Sequence, residues 1–167
     1  MQSFSVFAEA FRYPEPGLLE SLEAGRLALP TGLLRTALET FLLKMKALVP
    51  GEWEELYTRT WDLDPLTPPY VGFQIWGEDY RRGNFLACLK AACRRHGIET
   101  EGELPDHLVP ALRCLGTGRP PAELVEVFPR AVEKMAASLR KREADNPYLE
   151  LLEAALAYAG LPQAAGG

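Results

Sequence analysis

The chain has 167 residues, 18 Lys+Arg against 23 Asp+Glu, a formal net charge of −5, and 47% hydrophobic and 25% charged residues. That length predicts one domain with a sizeable core, and the composition is that of a globular protein rather than a disordered or fibrous one. No apolar run approaches the roughly 20 residues of a membrane-crossing helix. Met1 to Phe11, with Glu9 in its apolar stretch and no basic leader, is not expected to be an export signal.

In chain order, Leu33, Leu34, Ala37, Leu38, Phe41, Leu42, Met45 and Leu48 make one wide apolar stripe, opened by Pro30 and closed by Pro50-Gly51. Trp53, Leu56, Tyr57, Thr60 and Trp61 repeat at three and four and predict a second helix with an aromatic face. The link Pro65-Leu66-Thr67-Pro68-Pro69 is expected to be rigidly extended. Val71 to Ile75 is the one strand candidate, short and surrounded by helix signals. Leu86, Leu89, Cys93 and His96 form the next stripe, stopped by Gly97. A helix is expected to start near Pro105-Asp106-His107 and run through Leu112 and Leu115, with Asp106 able to cap it.

Leu124, Phe128, Val132, Met135 and Leu139 describe a long helix after Pro120-Pro121. Asn146-Pro147 then caps a last one that carries Leu149, Leu152, Leu156 and Ala159 and stops at Gly160 and Pro162. The expected architecture is all-α, a single-domain bundle of about seven or eight helices with short loops over residues 1–162, with 163–167 as a frayed tail.

The charge is unevenly placed. Between Glu52 and Asp106 there are 11 acidic residues against six basic ones, so the whole excess lies in the middle third and the rest balances at 12 against 12. An acidic middle argues against nucleic acid, whose phosphates need a basic stripe. Three cysteines without a CxxC pair argue against a disulfide framework and favour a reducing, cytoplasmic setting. The two histidines, His96 and His107, fit no catalytic or phosphate-binding motif. Cys93-x-x-His96 lacks the spacing of a closed zinc site. No catalytic residue, cofactor or metal is expected.

Trp53, Tyr57, Trp61, Tyr70, Phe73, Trp76, Tyr80 and Phe85 gather half of the large aromatics into the same acidic region. One reading makes them the densest part of the core; the other makes some of them a groove for a peptide with apolar and cationic side chains. Glu103, Asp106 and His107 either cap a helix or present polar groups beside that groove. His107 is expected to titrate near neutrality.

Glu55-Leu56-Tyr57-x-x-x-Trp61-Asp62-Leu63, Gly77-Glu-Asp-Tyr-Arg-Arg-Gly83, Leu89-Lys90 and Glu103-Leu-Pro-Asp-His-Leu108 with Leu112 and Leu115 together resemble the NarJ branch of the NarJ/TorD molybdoenzyme assembly chaperones, the so-called nitrate reductase delta subunits. The matching stretch runs from about Glu55 to Leu115; the Glu-Leu-Pro-Asp-His-Leu block is its most specific piece, and Phe4 to Pro16 resembles the family's start.

The resemblance implies an all-helical cytoplasmic chaperone, not an enzyme. Such a protein binds the N-terminal peptide of a molybdopterin-containing catalytic subunit and holds it for molybdenum cofactor insertion before membrane attachment. It also implies that Asp106 and His107 fall on the family's peptide-binding Asp-His pair, and that Trp76, Tyr80 and Arg81 lie on or beside the helix facing the groove. The expected site takes Trp61, Tyr70, Trp76 and Tyr80 as apolar anchors, Glu103, Asp106 and His107 as polar positioners, and Arg81 beside them. Its partner is the catalytic subunit of a nitrate reductase or related molybdoenzyme, with no nucleic acid and no insertion into the membrane. The alternatives are a permanent structural subunit of the reductase and a nucleotide-binding protein.

Overall fold

A computed structural model describes residues 2–160; the expected tail at 163–167 and the helix stop at Pro162 lie outside them. The described residues form nine α-helices: α1 Gln2–Ala8, α2 Leu18–Gly25, α3 Leu33–Lys46, α4 Glu52–Tyr57, α5 Val71–Trp76, α6 Tyr80–His96, α7 Leu108–Leu115, α8 Ala122–Arg142 and α9 Tyr148–Gly160. The architecture is an all-α bundle. Among the described residues no helix is long and apolar enough to cross a membrane.

The apolar stripes become the core. Leu34, Ala37, Leu38, Phe41, Leu42 and Met45 of α3 are buried, as are Leu124, Phe128, Val132, Met135 and Leu139 of α8. Helix α9 packs between α3 and α8, while α1 lies on α7 and α5 on α8. Burying each such side chain contributes about 1.5–3 kcal/mol before chain entropy is subtracted. The centre is aromatic: Tyr148 lies 5.1 Å from Phe41 and 5.5 Å from Trp61 between ring centroids, and its hydroxyl accepts the Trp53 indole N–H at 3.2 Å.

Helix ends follow local chemistry with three departures. Gly32, not Pro30, occupies the N-cap of α3. The aromatic helix after Gly51 is α4 continued by one wide π-type turn, Thr58–Asp62, and the Thr60 hydroxyl donates to the Leu56 carbonyl at 2.6 Å. Val71 to Ile75 is helical, not a strand. Among the described residues pairing is confined to Tyr70, which makes an antiparallel bridge to His107.

The proline-rich link between α4 and α5 is held from outside. Ser138 Oγ and Arg142 Nη1 of α8 both donate to the Leu66 carbonyl, at 2.7 and 2.9 Å. Gln74 Nε2 donates to Thr67 Oγ1 at 2.9 Å and to the Pro68 carbonyl at 2.8 Å. Prolines leave carbonyls without the matching N–H donors, so these side chains satisfy groups that the link cannot satisfy itself.

Candidate functional site

The link delivers Tyr70 against the segment before α7. The Val71 N–H donates to the Asp106 carbonyl at 2.8 Å, and the Leu108 N–H to the Pro69 carbonyl at 2.9 Å, closing the Tyr70–His107 bridge. Two segments 37 residues apart in sequence are thereby joined by their backbones.

Asp106 is fully buried beneath this bridge. Its carboxylate accepts two bonds from Arg82 of α6, Nε to Oδ2 at 3.0 Å and Nη2 to Oδ1 at 3.2 Å, and one from the Gly72 N–H at 3.1 Å. The guanidinium carbon sits 5.5 Å from the ring centroids of both Tyr70 and Phe73. A bidentate pair between aromatic faces suits arginine's planar fork. Gly72 leaves room for it: a Cβ there would lie 2.8 Å from Asp106 Oδ2 and 2.9 Å from Phe85 Cδ2.

This corrects the expected roles. Asp106 does not cap α7, because its oxygens are taken by Arg82 and Gly72. His107 is the N-cap, its Nδ1 accepting the Val109 N–H at 3.1 Å. The ring is 4% exposed and stands edge-on to Tyr70, centroids 5.5 Å apart. Burial pushes the His107 pKa below its ordinary 6.5 and so away from neutrality, although Glu103, Asp106 and Glu101 pull the other way. With Nδ1 an acceptor, the neutral ring carries its proton on Nε2.

Glu103 accepts the Tyr70 hydroxyl at 2.7 Å. Burial and that carboxylate raise the Tyr70 pKa well above the usual phenol range, and burial with Glu103 and Asp62 raises Tyr57 to about 12. Both phenols therefore stay protonated under ordinary conditions.

The remaining expected residues lie elsewhere. Trp61 is 4% exposed and packed in the core against Tyr148 and Phe11, so it presents no surface to a peptide. Trp76 packs on Phe85, centroids 5.2 Å apart, and with Arg81 lines a cleft of about 400 Å³ against Glu123, Glu126 and Arg130 of α8. Tyr80 is 80% exposed at the start of α6. Arg81 folds back on Asp79, which caps α6 by accepting the Arg81 N–H at 2.9 Å.

Two hollows flank the bridge. One, about 610 Å³, runs along α6 and is lined by Leu86, Cys93, Ile98, Leu104 and Pro105, with Lys90 and Arg94 on one bank and Glu99 and Glu103 on the other. The second, about 150 Å³, lies between Tyr13, Tyr57 and His107 with Arg12, Glu15, Glu101 and Glu103 around it. Thr100 and Glu103 line both.

Arg82 and Gly72 were not singled out from the sequence. Arg82 shares its helical face with Phe85 and Leu89, at spacings of three and four, and that inward register was the available signal. Gly72 gave none, since the need for a missing Cβ arises only when Asp106 arrives from a distant segment. No known family profile matches the chain, and no curated protein is significantly similar to it in sequence.

Proposed function

We propose that the protein is a system-specific cytoplasmic chaperone for a molybdoenzyme of the respiratory nitrate reductase kind. It binds the N-terminal peptide of the catalytic subunit and assists molybdenum cofactor insertion and assembly before membrane attachment. It acts by recognition rather than by catalysis. One observation carries the reading: the Gly77–Gly83 and Glu103–Leu108 blocks, two of those that bear the family resemblance, meet through the Arg82–Asp106 pair. That contact makes one unit of the Tyr70–Glu103–His107 surface and the start of α6.

The surface suits such a partner. An apolar hollow edged by Glu99 and Glu103 and by Lys90 and Arg94 suits an amphipathic peptide, its apolar side chains buried and its basic ones paired with the two carboxylates. Calorimetry with the catalytic subunit's N-terminal peptide tests this. A single-site isotherm is expected, weakened by Glu103→Gln and His107→Ala, and no heat with any molybdoenzyme leader would overturn it. Purified mature reductase separates chaperone from permanent subunit: the chain is expected with the cofactor-free catalytic subunit and absent from the finished enzyme.

A further inference from the structure

The segment between Gly17 and Gly32 carries α2 and one further helical turn, Arg26–Ala28. Helix α2 has eight residues, too few to persist in water without support. Its buried side chains are Leu18 and Leu22, the turn after it buries none, and Leu29 is a third apolar anchor. Beside the segment, against α1 and α3, lies a largely apolar hollow of about 330 Å³ lined by Val6, Leu22, Gly25 and Leu38. A Cβ at Gly25 would meet only Val6 Cγ1, at 3.7 Å, so the packing there is open.

Charge fastens the segment. Among the described residues, its polar contacts to another helix all end on α3. Arg26 Nη1 lies 3.2 Å from Glu39 Oε1, Lys46 pairs with Glu23, and Arg35 Nη1 donates to the Leu29 carbonyl at 3.5 Å. These pairs span a hollow of about 250 Å³, lined also by Leu42 and Leu43, rather than a packed surface. The paired side chains are a quarter to a half exposed, so dissolved salt screens them. Both ends of the segment are glycines at positive φ, Gly17 at 94° and Gly32 at 146°, with open space where a Cβ would stand. Exposed positions of this kind absorb a change in backbone angle.

We propose that residues 18–29 form a strap that detaches from α1 and α3 about Gly17 and Gly32 while the rest of the bundle stays folded. The Arg26–Glu39 and Lys46–Glu23 pairs are its latch. Detachment uncovers Leu18, Leu22 and Leu29 but leaves the packing of α9 on α3 and α8 in place, so it requires far less free energy than global unfolding. Once free, so short a helix unwinds and its amides exchange with solvent. Each opening turns the 330 Å³ hollow into an apolar face bearing Val6 and Leu38, and ionic strength sets how often that happens. No peptide ligand enters this motion, so it stands or falls apart from the chaperone reading.

Amide hydrogen exchange on the full chain at low and high potassium chloride tests this, with the amides of α8 as the internal reference. Between roughly 20 and 500 mM salt the amides of α2 and its following turn are expected to exchange about three- to tenfold faster, and those of α8 to hold. Glu23→Gln/Glu39→Gln is expected to exchange fast in the strap at both concentrations, which removes the salt dependence. Gly25→Ala acts in the opposite direction: its helical backbone, φ −68° and ψ −28°, accepts alanine, and the new methyl packs on Val6. It is expected to slow strap exchange by about threefold or more. Strap amides that exchange in step with α8 at every salt concentration overturn the strap, and fast exchange indifferent to salt overturns the latch. The wild-type salt series and Gly25→Ala decide the matter even if the charge variant folds poorly.

Discussion

Arg82 grips the buried Asp106 at two points, 3.0 and 3.2 Å, and so ties the first turn of α6 to the residue just before the α7 cap. The pair is enclosed: Asp106 is fully buried and the Arg82 side chain is 16% exposed. Removing one partner strands a charge, which typically costs about 3–5 kcal/mol. Arg82→Met and Asp106→Asn are each expected to be destabilising, the first more than the second because Asn still accepts the Gly72 N–H. The double variant should cost less than the sum of the singles. Denaturant titrations of the four proteins check this, and simple additivity would show that the ion pair couples nothing.

Gly72→Ala tests the same junction without touching charge. The added methyl meets Asp106 Oδ2, Phe85 and the Arg82 Cγ at 3.2 Å, and the carboxylate cannot retreat while Arg82 and the bridge hold it. A loss of about 1–3 kcal/mol is expected. Unchanged stability would mean that the approach of α5 to this segment is looser than described.

Asn146 links the last helix to the aromatic one. Its Oδ1 accepts the Tyr148 N–H at 2.9 Å, and its Nδ2 donates to Thr60 Oγ1 and Glu143 Oε2, both at 2.9 Å. Asn146→Ala removes a cap and leaves Thr60 one partner fewer, for a loss of about 2–3 kcal/mol. Asn146→Asp keeps the cap and is expected to lose less; the order of their thermal midpoints decides.

His107 carries a pH signature whose sign is set by burial. Its folded pKa lies below the ordinary 6.5. Above 6.5 neither folded nor unfolded chain holds the proton, so there is no contribution. As pH falls through 6.5 the unfolded chain binds first, and stability declines by at most about 1.4 kcal/mol per pH unit until the folded value is reached. His107→Asn, which can still cap α7, should remove that decline. Persistence of the full slope would assign it to other groups.

The thiols should differ in reactivity. Burial pushes Cys114 up to about 11 and raises Cys93, while Cys88 is only half-buried and raised by burial and Glu123. At about pH 8 a thiol-specific reagent should modify Cys88 slowly and spare the other two until the chain unfolds. Rapid modification of Cys114 would contradict its enclosure.

Much of the frame was legible in the sequence because periodicity reports burial directly. The stripes of α3 and α8, the Gly97 stop of α6 and the Asn146 cap of α9 are local properties, and all stand in the structure. Tyr70, Glu103, Asp106 and His107 were legible as one group of candidates, and they do come together. Trp61 was not separable from the surface aromatics, because a tryptophan on a helical stripe reads the same whether core or partner covers it.

By itself, then, the sequence determined the helices, their inward faces and the acidic, aromatic character of the middle third, all written in spacings of a few residues. Only the tertiary structure decided which residue caps α7, which arginine of the Arg81-Arg82 pair turns inward, and why position 72 has no side chain. Those three answers depend on Asp106, whose carboxylate is claimed by groups 24 and 34 residues away. A buried charge takes the partners that desolvate with it rather than its neighbours in sequence.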